Sequence, residues 1–312
     1  MANQQLSTRH LLGIKYITPD DIDLIFETTD QFKEVINRPI KKVPSLRDVT
    51  IANLFFENST RTRISFELAE RRLSADTINF SASSSSVSKG ETLLDTVNNI
   101  LSMKVDMVVI RHPAAGVPIY LSKRVKANII NAGDGSNQHP TQCLLDLFTI
   151  RQTQGTLDNL DIAFVGDLKY GRTIHSNVIA LSHFNTTFHL VSPEELKLPS
   201  AVKMHIKSNN LQYFQYTDLE EVIPKVDIIY MTRIQRERFA DPIEYERVKN
   251  SYTLTKKMLE GSRENLKILH PLPRVNEISV DVDLDPRAYY FKQALNGVYI
   301  RQALIASILG LA

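Results

Sequence analysis

The chain has 312 residues, 43 % hydrophobic and 23 % charged, which exceeds what one hydrophobic core usually serves, so two domains are expected. Its 37 lysines and arginines nearly cancel 35 aspartates and glutamates, and a formal charge of +2 argues against nucleic acid or a membrane surface as partner. The single cysteine, Cys143, excludes an intrachain disulfide and a cysteine-based zinc site.

The polar start, Met1-Ala2-Asn3-Gln4-Gln5, lacks the apolar run of a secretion signal. No stretch approaches the roughly 20 apolar residues of a membrane helix, and a cytoplasmic protein is expected. Short apolar runs, often β-branched, at 51–56, 76–80, 106–110 and 128–131 read as strands buried on both faces. A second set of four follows at 161–165, 188–191, 227–231 and 266–269. Amphipathic stretches separate them. In 63–73, Ile64, Phe66, Leu68, Ala69 and Leu73 oppose Glu67, Glu70, Arg71 and Arg72. Such alternation predicts parallel α/β sheets. Between the two sets, 140–150 reads as a helix with no linker signal, and 288–311 as a long apolar helix docked on a core. The serine-rich 81–88 is a surface loop by composition.

Open α/β sheets bind ligands beyond the carboxyl ends of their strands. After 51–56 comes Glu57-Asn58-Ser59-Thr60-Arg61-Thr62-Arg63. Asn58 or Ser59 would cap the following helix, whose free N–H groups face an anion. The hydroxyls of Ser59, Thr60 and Thr62 add donors, and Arg61 can grip phosphate bidentately. A capped helix with surface arginines would explain Ser-Thr alone; two hydroxyl–arginine pairs in succession go beyond it. After 106–110 comes Arg111-His112-Pro113, weak by itself. After 128–131 a glycine-containing polar loop ends in His139-Pro140-Thr141-Gln142. Pro140 suits a first helical turn, with His139 and Gln142 on one side of it. His139 can donate to a carbonyl oxygen and Gln142 can recognise an amide.

After 161–165 comes Gly166-Asp167-Leu168-Lys169-Tyr170-Gly171-Arg172-Thr173. Its glycine spacing is not the dinucleotide fingerprint, and Arg172 at a helix start suits a carboxylate. Thr232, Arg233 and Gln235 follow 227–231, and His270-Pro271-Leu272-Pro273-Arg274 follows 266–269. The two prolines free a backbone carbonyl from the sheet ladder. No metal cluster, nucleophile elbow or paired-carboxylate spacing is present. The pattern fits electrostatic catalysis on a substrate with several negative charges.

Ser59-Thr60-Arg61-Thr62-Arg63, His139-Pro140-Thr141-Gln142 and Arg233-Ile234-Gln235 together resemble the carbamoyltransferase family. His270-Pro271-Leu272-Pro273, in place of a cysteine-containing version, and the Gly166–Thr173 stretch resemble its aspartate branch rather than its ornithine branch. The resemblance runs through almost the whole chain. It implies two doubly wound parallel-sheet domains with the active site in the interdomain cleft. Residues 1–139 with 291–312 would form the carbamoyl phosphate-binding domain, 140–153 the connecting helix and 154–290 the aspartate-binding domain.

The resemblance also implies roles. Ser59, Thr60, Arg61 and Thr62 bind the phosphate, with Arg111 helping; Thr62, Arg111 and His139 reach the carbonyl oxygen. Gln142 and the backbone carbonyls of Pro271 and Leu272 hold the carbamoyl amide. Arg172, Arg233 and Gln235 take the carboxylates of aspartate. Ser85 and Lys89 are the residues that a neighbouring subunit of a homotrimer inserts into the site, and Lys89 also reaches aspartate. Charged residues such as Glu57, Arg238 and Glu244 would steady domain closure. No cofactor and no metal is expected. Lys169-Tyr170 and Arg274-Val275-Asn276-Glu277-Ile278 resemble the branch whose trimers associate with separate zinc-bearing regulatory chains. The implied reaction carbamoylates L-aspartate, an early step of pyrimidine biosynthesis. A carbamoyltransferase with another amine acceptor, and a non-catalytic member of the family, are the rival readings; a nicotinamide dehydrogenase is a third, disfavoured because no Gly-x-Gly-x-x-Gly follows any strand.

Overall fold

The computed structural model describes residues 5–81, 90–239 and 241–311. The chain divides into two compact units, residues 1–144 with 296–312 and residues 145–295. Each contains one parallel sheet flanked by helices.

Unit 1 opens with helix α1 (Pro19–Ile36), whose Thr18 and Asp21 side chains cap one another's backbone N–H groups. Strand β1 (Thr50–Phe55), helix α2 (Thr60–Arg72), strand β2 (Asp76–Ser81) and helix α3 (Leu93–Ser102) follow. Strand β3 (Met107–His112), helix α4 (Val117–Ser122) and strand β4 (Asn128–Asp134) complete a four-stranded sheet of order β2-β1-β3-β4. Helix α5 (Pro140–Gln154) then runs into unit 2. Ala52, Leu54, Val108, Ile110 and Ile129 from β1, β3 and β4 pack into one apolar cluster.

Unit 2 contains β5 (Asp161–Val165), α6 (Arg172–Leu181), β6 (Thr187–Val191), α7 (Ser200–Ser208), β7 (Tyr213–Tyr216), β8 (Ile228–Met231), α8 (Pro242–Val248) and β9 (Lys267–Leu269). Helix α9 (Tyr290–Leu309) returns the chain to unit 1. The sheet order is β7-β6-β5-β8-β9, all parallel. Five strands stand where four were expected. The added one, β7, is an edge strand with half-exposed ends and an exposed middle, so it lacks the buried apolar run that marks the others.

The amino ends of β5 and β8 are tied by a polar clamp. Arg263 donates to Asp227 Oδ1 (2.8 Å) and to Asp161 Oδ2 (3.0 Å), while the Asp161 N–H donates to Asp227 Oδ2 (2.9 Å). Burial alone would raise the Asp227 carboxyl; hydrogen bonds from Asn265, the Asp161 backbone and Arg263 outweigh it and hold the pKa low. Among the described residues, no helix is long and apolar enough to cross a membrane.

Candidate active site

In unit 1 the chain leaves β1 to one side, for β2, then crosses to the other for β3 and β4. The resulting crevice beyond the carboxyl ends of β1 and β3 is where an open α/β sheet accepts a ligand. Ser59, Thr60, Arg61 and Thr62 fall there. Ser59 is the N-cap residue of α2, but its side chain makes no capping hydrogen bond. The expected side-chain cap is therefore not formed. Thr60 and Arg61 are exposed, whereas Thr62 is buried.

Arg111 is the penultimate residue of β3 and is only 7 % exposed. Its guanidinium donates to Ala132 O on β4 (3.2 Å) and to Glu57 Oε1 just beyond β1 (2.7 Å). The Phe56 N–H donates to Arg111 O (2.8 Å). Arg111 thus joins three neighbouring strand ends. Glu57, expected at a closure contact, is engaged inside its own unit. His112 shapes a turn instead of offering chemistry: its Nδ1 accepts the Ala114 N–H (2.9 Å), and burial lowers its pKa.

The loop that delivers His139 is built around Asp134. This buried carboxylate accepts from the Asn131 and Asn137 side chains and from the N–H groups of Gly116 and Gln138 (2.7–3.1 Å). Gly135 has φ +54°, and an added Cβ would stand 2.6 Å from Pro113 O, so only glycine fits. His139 is buried, and its carbonyl accepts the N–H groups of Gln142 and Cys143 as α5 begins. Gln142 lies in the first turn of α5. Arg301 of α9 links α2 to the first turn of α5. It donates to Ser65 Oγ on α2 (3.0 Å) and to Thr141 Oγ1 on α5 (3.3 Å), and it lies over the Phe66 ring.

Unit 2 repeats the logic. Its switch point lies between β5 and β8. Gly166 (φ +113°), just past β5, lies so close to the residue that follows β8 that a Cβ would sit 2.3 Å from Thr232 O. Asp167 is fully buried, and its Oδ1 accepts the Tyr170 N–H (2.9 Å). Burial pushes its carboxyl up, and the backbone N–H groups of Tyr170, Gln235 and Lys169 oppose that. The same carboxylate therefore engages the loop after β5 and the loop after β8. Arg172 is the first residue of α6, after the N-cap Gly171. His175 Nε2 meets Leu168 O at 2.8 Å, and burial lowers the His175 pKa, so the neutral ring donates to that carbonyl. Arg233 and Gln235 are half-buried beyond the end of β8.

Beyond β9, His270 is 1 % exposed. Its Nδ1 accepts the Leu272 N–H (2.8 Å), so the ring is neutral and Nε2 donates to Glu277 Oε1 (2.7 Å). Burial, which lowers the His270 pKa, acts in the same direction. Leu272 takes a left-handed φ of 56°, and the Pro271–Leu272 backbone is fixed at the strand end.

Ser59, Thr60, Arg61, Thr62, Arg111, His139 and Gln142 thus stand at strand ends and helix starts of unit 1, and Arg172, Arg233, Gln235, Pro271 and Leu272 at those of unit 2. Ser85 and Lys89 lie outside the described residues. Sequence reasoning missed Asp134 and Arg301, and it quoted Asp167 without giving it a task. Among the described residues no cluster of three or more histidine, cysteine or acidic side chains suits a metal ion.

Two parallel-sheet α/β units, each with cationic side chains beyond its strand ends, frame an enzyme, and comparison with known proteins specifies which kind. The family description "Aspartate/ornithine carbamoyltransferase, carbamoyl-P binding domain" matches residues 9–152, and its "Asp/Orn binding domain" matches residues 158–308. The chain belongs to the aspartate/ornithine carbamoyltransferase family. It is 52 % identical over 308 residues to the aspartate carbamoyltransferase catalytic subunit of Bacteroides fragilis, covering 98 % of each chain. It is 50 % identical to that of Vibrio campbellii over 313 residues, covering 99 % of each. Among solved structures, the catalytic subunit of M. jannaschii aspartate transcarbamoylase superposes with a TM-score of 0.89 at 44 % identity, covering 97 % of this chain and 98 % of that one. The Trypanosoma cruzi aspartate transcarbamoylase in complex with N-(phosphonacetyl)-L-aspartic acid gives 0.90 at 34 % identity, covering 98 % and 97 %.

Proposed function

We propose that this chain is the catalytic chain of an aspartate carbamoyltransferase, which converts carbamoyl phosphate and L-aspartate to N-carbamoyl-L-aspartate and phosphate. The observation that carries the choice of acceptor is the placement of Arg172 and Arg233 beyond the two strands that flank the unit 2 switch point. Two cations match a dicarboxylate and repel an amine-bearing cation such as ornithine. Gln235 adds a hydrogen bond to the same substrate. Unit 1 supplies the carbamoyl phosphate residues. Ser59, Thr60, Arg61 and Thr62 take the phosphate at the start of α2, where the positive end of the helix dipole favours an anion. Gln142 and the carbonyls of Pro271 and Leu272 orient the carbamoyl amide.

The aspartate amine attacks the carbamoyl carbon, and charge develops on its oxygen. Thr62, Arg111 and His139 donate to that oxygen; losing one such donor typically costs about 3 kcal/mol of barrier. The C–O bond to phosphate breaks, and a phosphate oxygen takes the amine proton, so no dedicated protein base is needed. Ser85 and Lys89 complete the site from a neighbouring copy in a homotrimer, Lys89 meeting both the leaving phosphate and aspartate. The product feeds pyrimidine synthesis in the cytoplasm, and the trimers are of the kind that can associate with separate zinc-bearing regulatory chains.

Turnover with carbamoyl phosphate and a panel of amines, combined with the native mass, tests this reading. Aspartate should be carbamoylated, ornithine should not, and the mass should correspond to three copies. Reaction with ornithine in preference to aspartate overturns the acceptor assignment; a monomer with full activity overturns the shared site.

A further inference from the structure

We propose that Asp146 is a positioning residue, aligning the unit 2 segments that carry the aspartate-binding groups. Asp146 lies on α5 among Leu144, Leu145, Leu147 and Phe148, and its side chain is fully buried. A carboxylate in such a run is costly unless several donors reach it. Three do. Tyr230 Oη donates to Oδ2 at 2.6 Å, Asn177 Nδ2 donates to Oδ2 at 3.0 Å, and Gln293 Nε2 donates to Oδ1 at 2.7 Å.

Two donors sit on elements that carry aspartate-binding residues, and the third bonds the backbone beyond the end of β9. Tyr230 is on β8, just before Arg233 and Gln235. Asn177 is on α6, the helix that Arg172 begins. Gln293 is on α9, and its Oε1 accepts the His270 N–H at 2.8 Å, where the Pro271–Leu272 turn starts. One acceptor-only group therefore sets three strand and helix ends against one another. An amide in its place would turn an NH₂ toward a donor, and the convergence would be lost. Small misplacements of binding groups are expensive in rate, so a side chain with no path to substrate governs how well Arg172, Arg233 and Gln235 meet it.

The inference rests on the aspartate-binding reading of unit 2, and the experiment separates the two. Asp146→Asn and Tyr230→Phe are compared with wild type for aspartate KM, for kcat, for inorganic phosphate affinity by calorimetry, and for thermal midpoint. Inorganic phosphate reports on unit 1 residues alone. Expected is a rise of about tenfold or more in aspartate KM, with phosphate affinity within twofold of wild type. If the wild-type chain does not carbamoylate aspartate, the reading of unit 2 fails whatever the variants do. If it does, and folded variants keep the wild-type aspartate KM, the inference alone fails. It fails equally if aspartate and phosphate constants worsen in parallel with a lower thermal midpoint, the mark of a scaffold residue. Should Asp146→Asn not fold, Tyr230→Phe, which removes one donor and no buried charge, decides the matter by the same readings.

Discussion

Arg111 has two jobs at one atom group: it fastens three strand ends and it is assigned to the carbamoyl oxygen. Arg111→Ala should lower kcat by about a hundredfold through the lost donor and also leave Glu57 without its ion-pair partner. Steady-state kinetics at saturating aspartate checks this; a loss under threefold removes Arg111 from the catalytic set. A second residue, Glu70, makes stability depend on pH. It is fully buried on α2, its Oε2 accepts from Asn53 Nδ2 (2.8 Å), and burial raises its pKa from 4.5 to about 7. Between those values the folded chain keeps a proton that the unfolded chain has released, so stability falls as pH rises from about 4.5 to 7. From pH 5 to pH 8 Glu70→Gln should gain about 2 kcal/mol relative to wild type, because glutamine has no proton to lose. Urea denaturation at both pH values measures it; parallel changes in the two proteins sink the claim. Such residues divide sharply in legibility. Arg61, Arg172 and Arg233 announced themselves because cations at strand ends and helix starts follow from local sequence. Asp146 did not, since its partners lie 31, 84 and 147 residues along the chain. The one trace it leaves is a carboxylate inside an apolar helical run.

At the scale of elements, the strands that carry ligand groups are the ones buried on both faces, and their unbroken apolar runs made them readable. β7 escaped because an edge strand needs burial on one side only, and Phe214 in it is 46 % exposed. The boundaries of β3 and β4 run further than the apolar runs, into His112 and Asp134, because pairing with neighbours continues after hydrophobicity stops. The loops after the strands were legible as polar and glycine-containing, but not in their shape, which Asp134 and Asp167 dictate through backbone N–H groups. Gly166→Ala tests the closest of these approaches. Its Cβ would fall 2.3 Å from Thr232 O at a left-handed φ, so β5 and β8 must part. The expected loss is about 3 kcal/mol of stability, with aspartate KM rising more than phosphate affinity falls. A midpoint of urea unfolding equal to wild type contradicts it.

For the whole molecule, two units with separate ligand sets predict separable responses. Inorganic phosphate should slow hydrogen exchange at amides 59–63 without slowing 166–172. Adding succinate, a dicarboxylate without the amine, should then slow 166–172 and 232–235. Protection of 166–172 by phosphate alone, with 59–63 unchanged, reverses the assignment of units to substrates. The two-domain α/β plan followed from length and from alternating periodicities.

The clamp of Arg263, Asp161 and Asp227 anchors β5 and β8 at their amino ends, while Arg172 and Arg233 stand past the opposite ends. About 16 Å of strand separates the two. Structural upkeep and choice of amine acceptor therefore occupy different addresses on the same pair of strands. Segments 166–172 and 232–235 can diverge under selection for a new acceptor while the far end keeps the sheet in register, so descendants can trade substrates without refounding the fold.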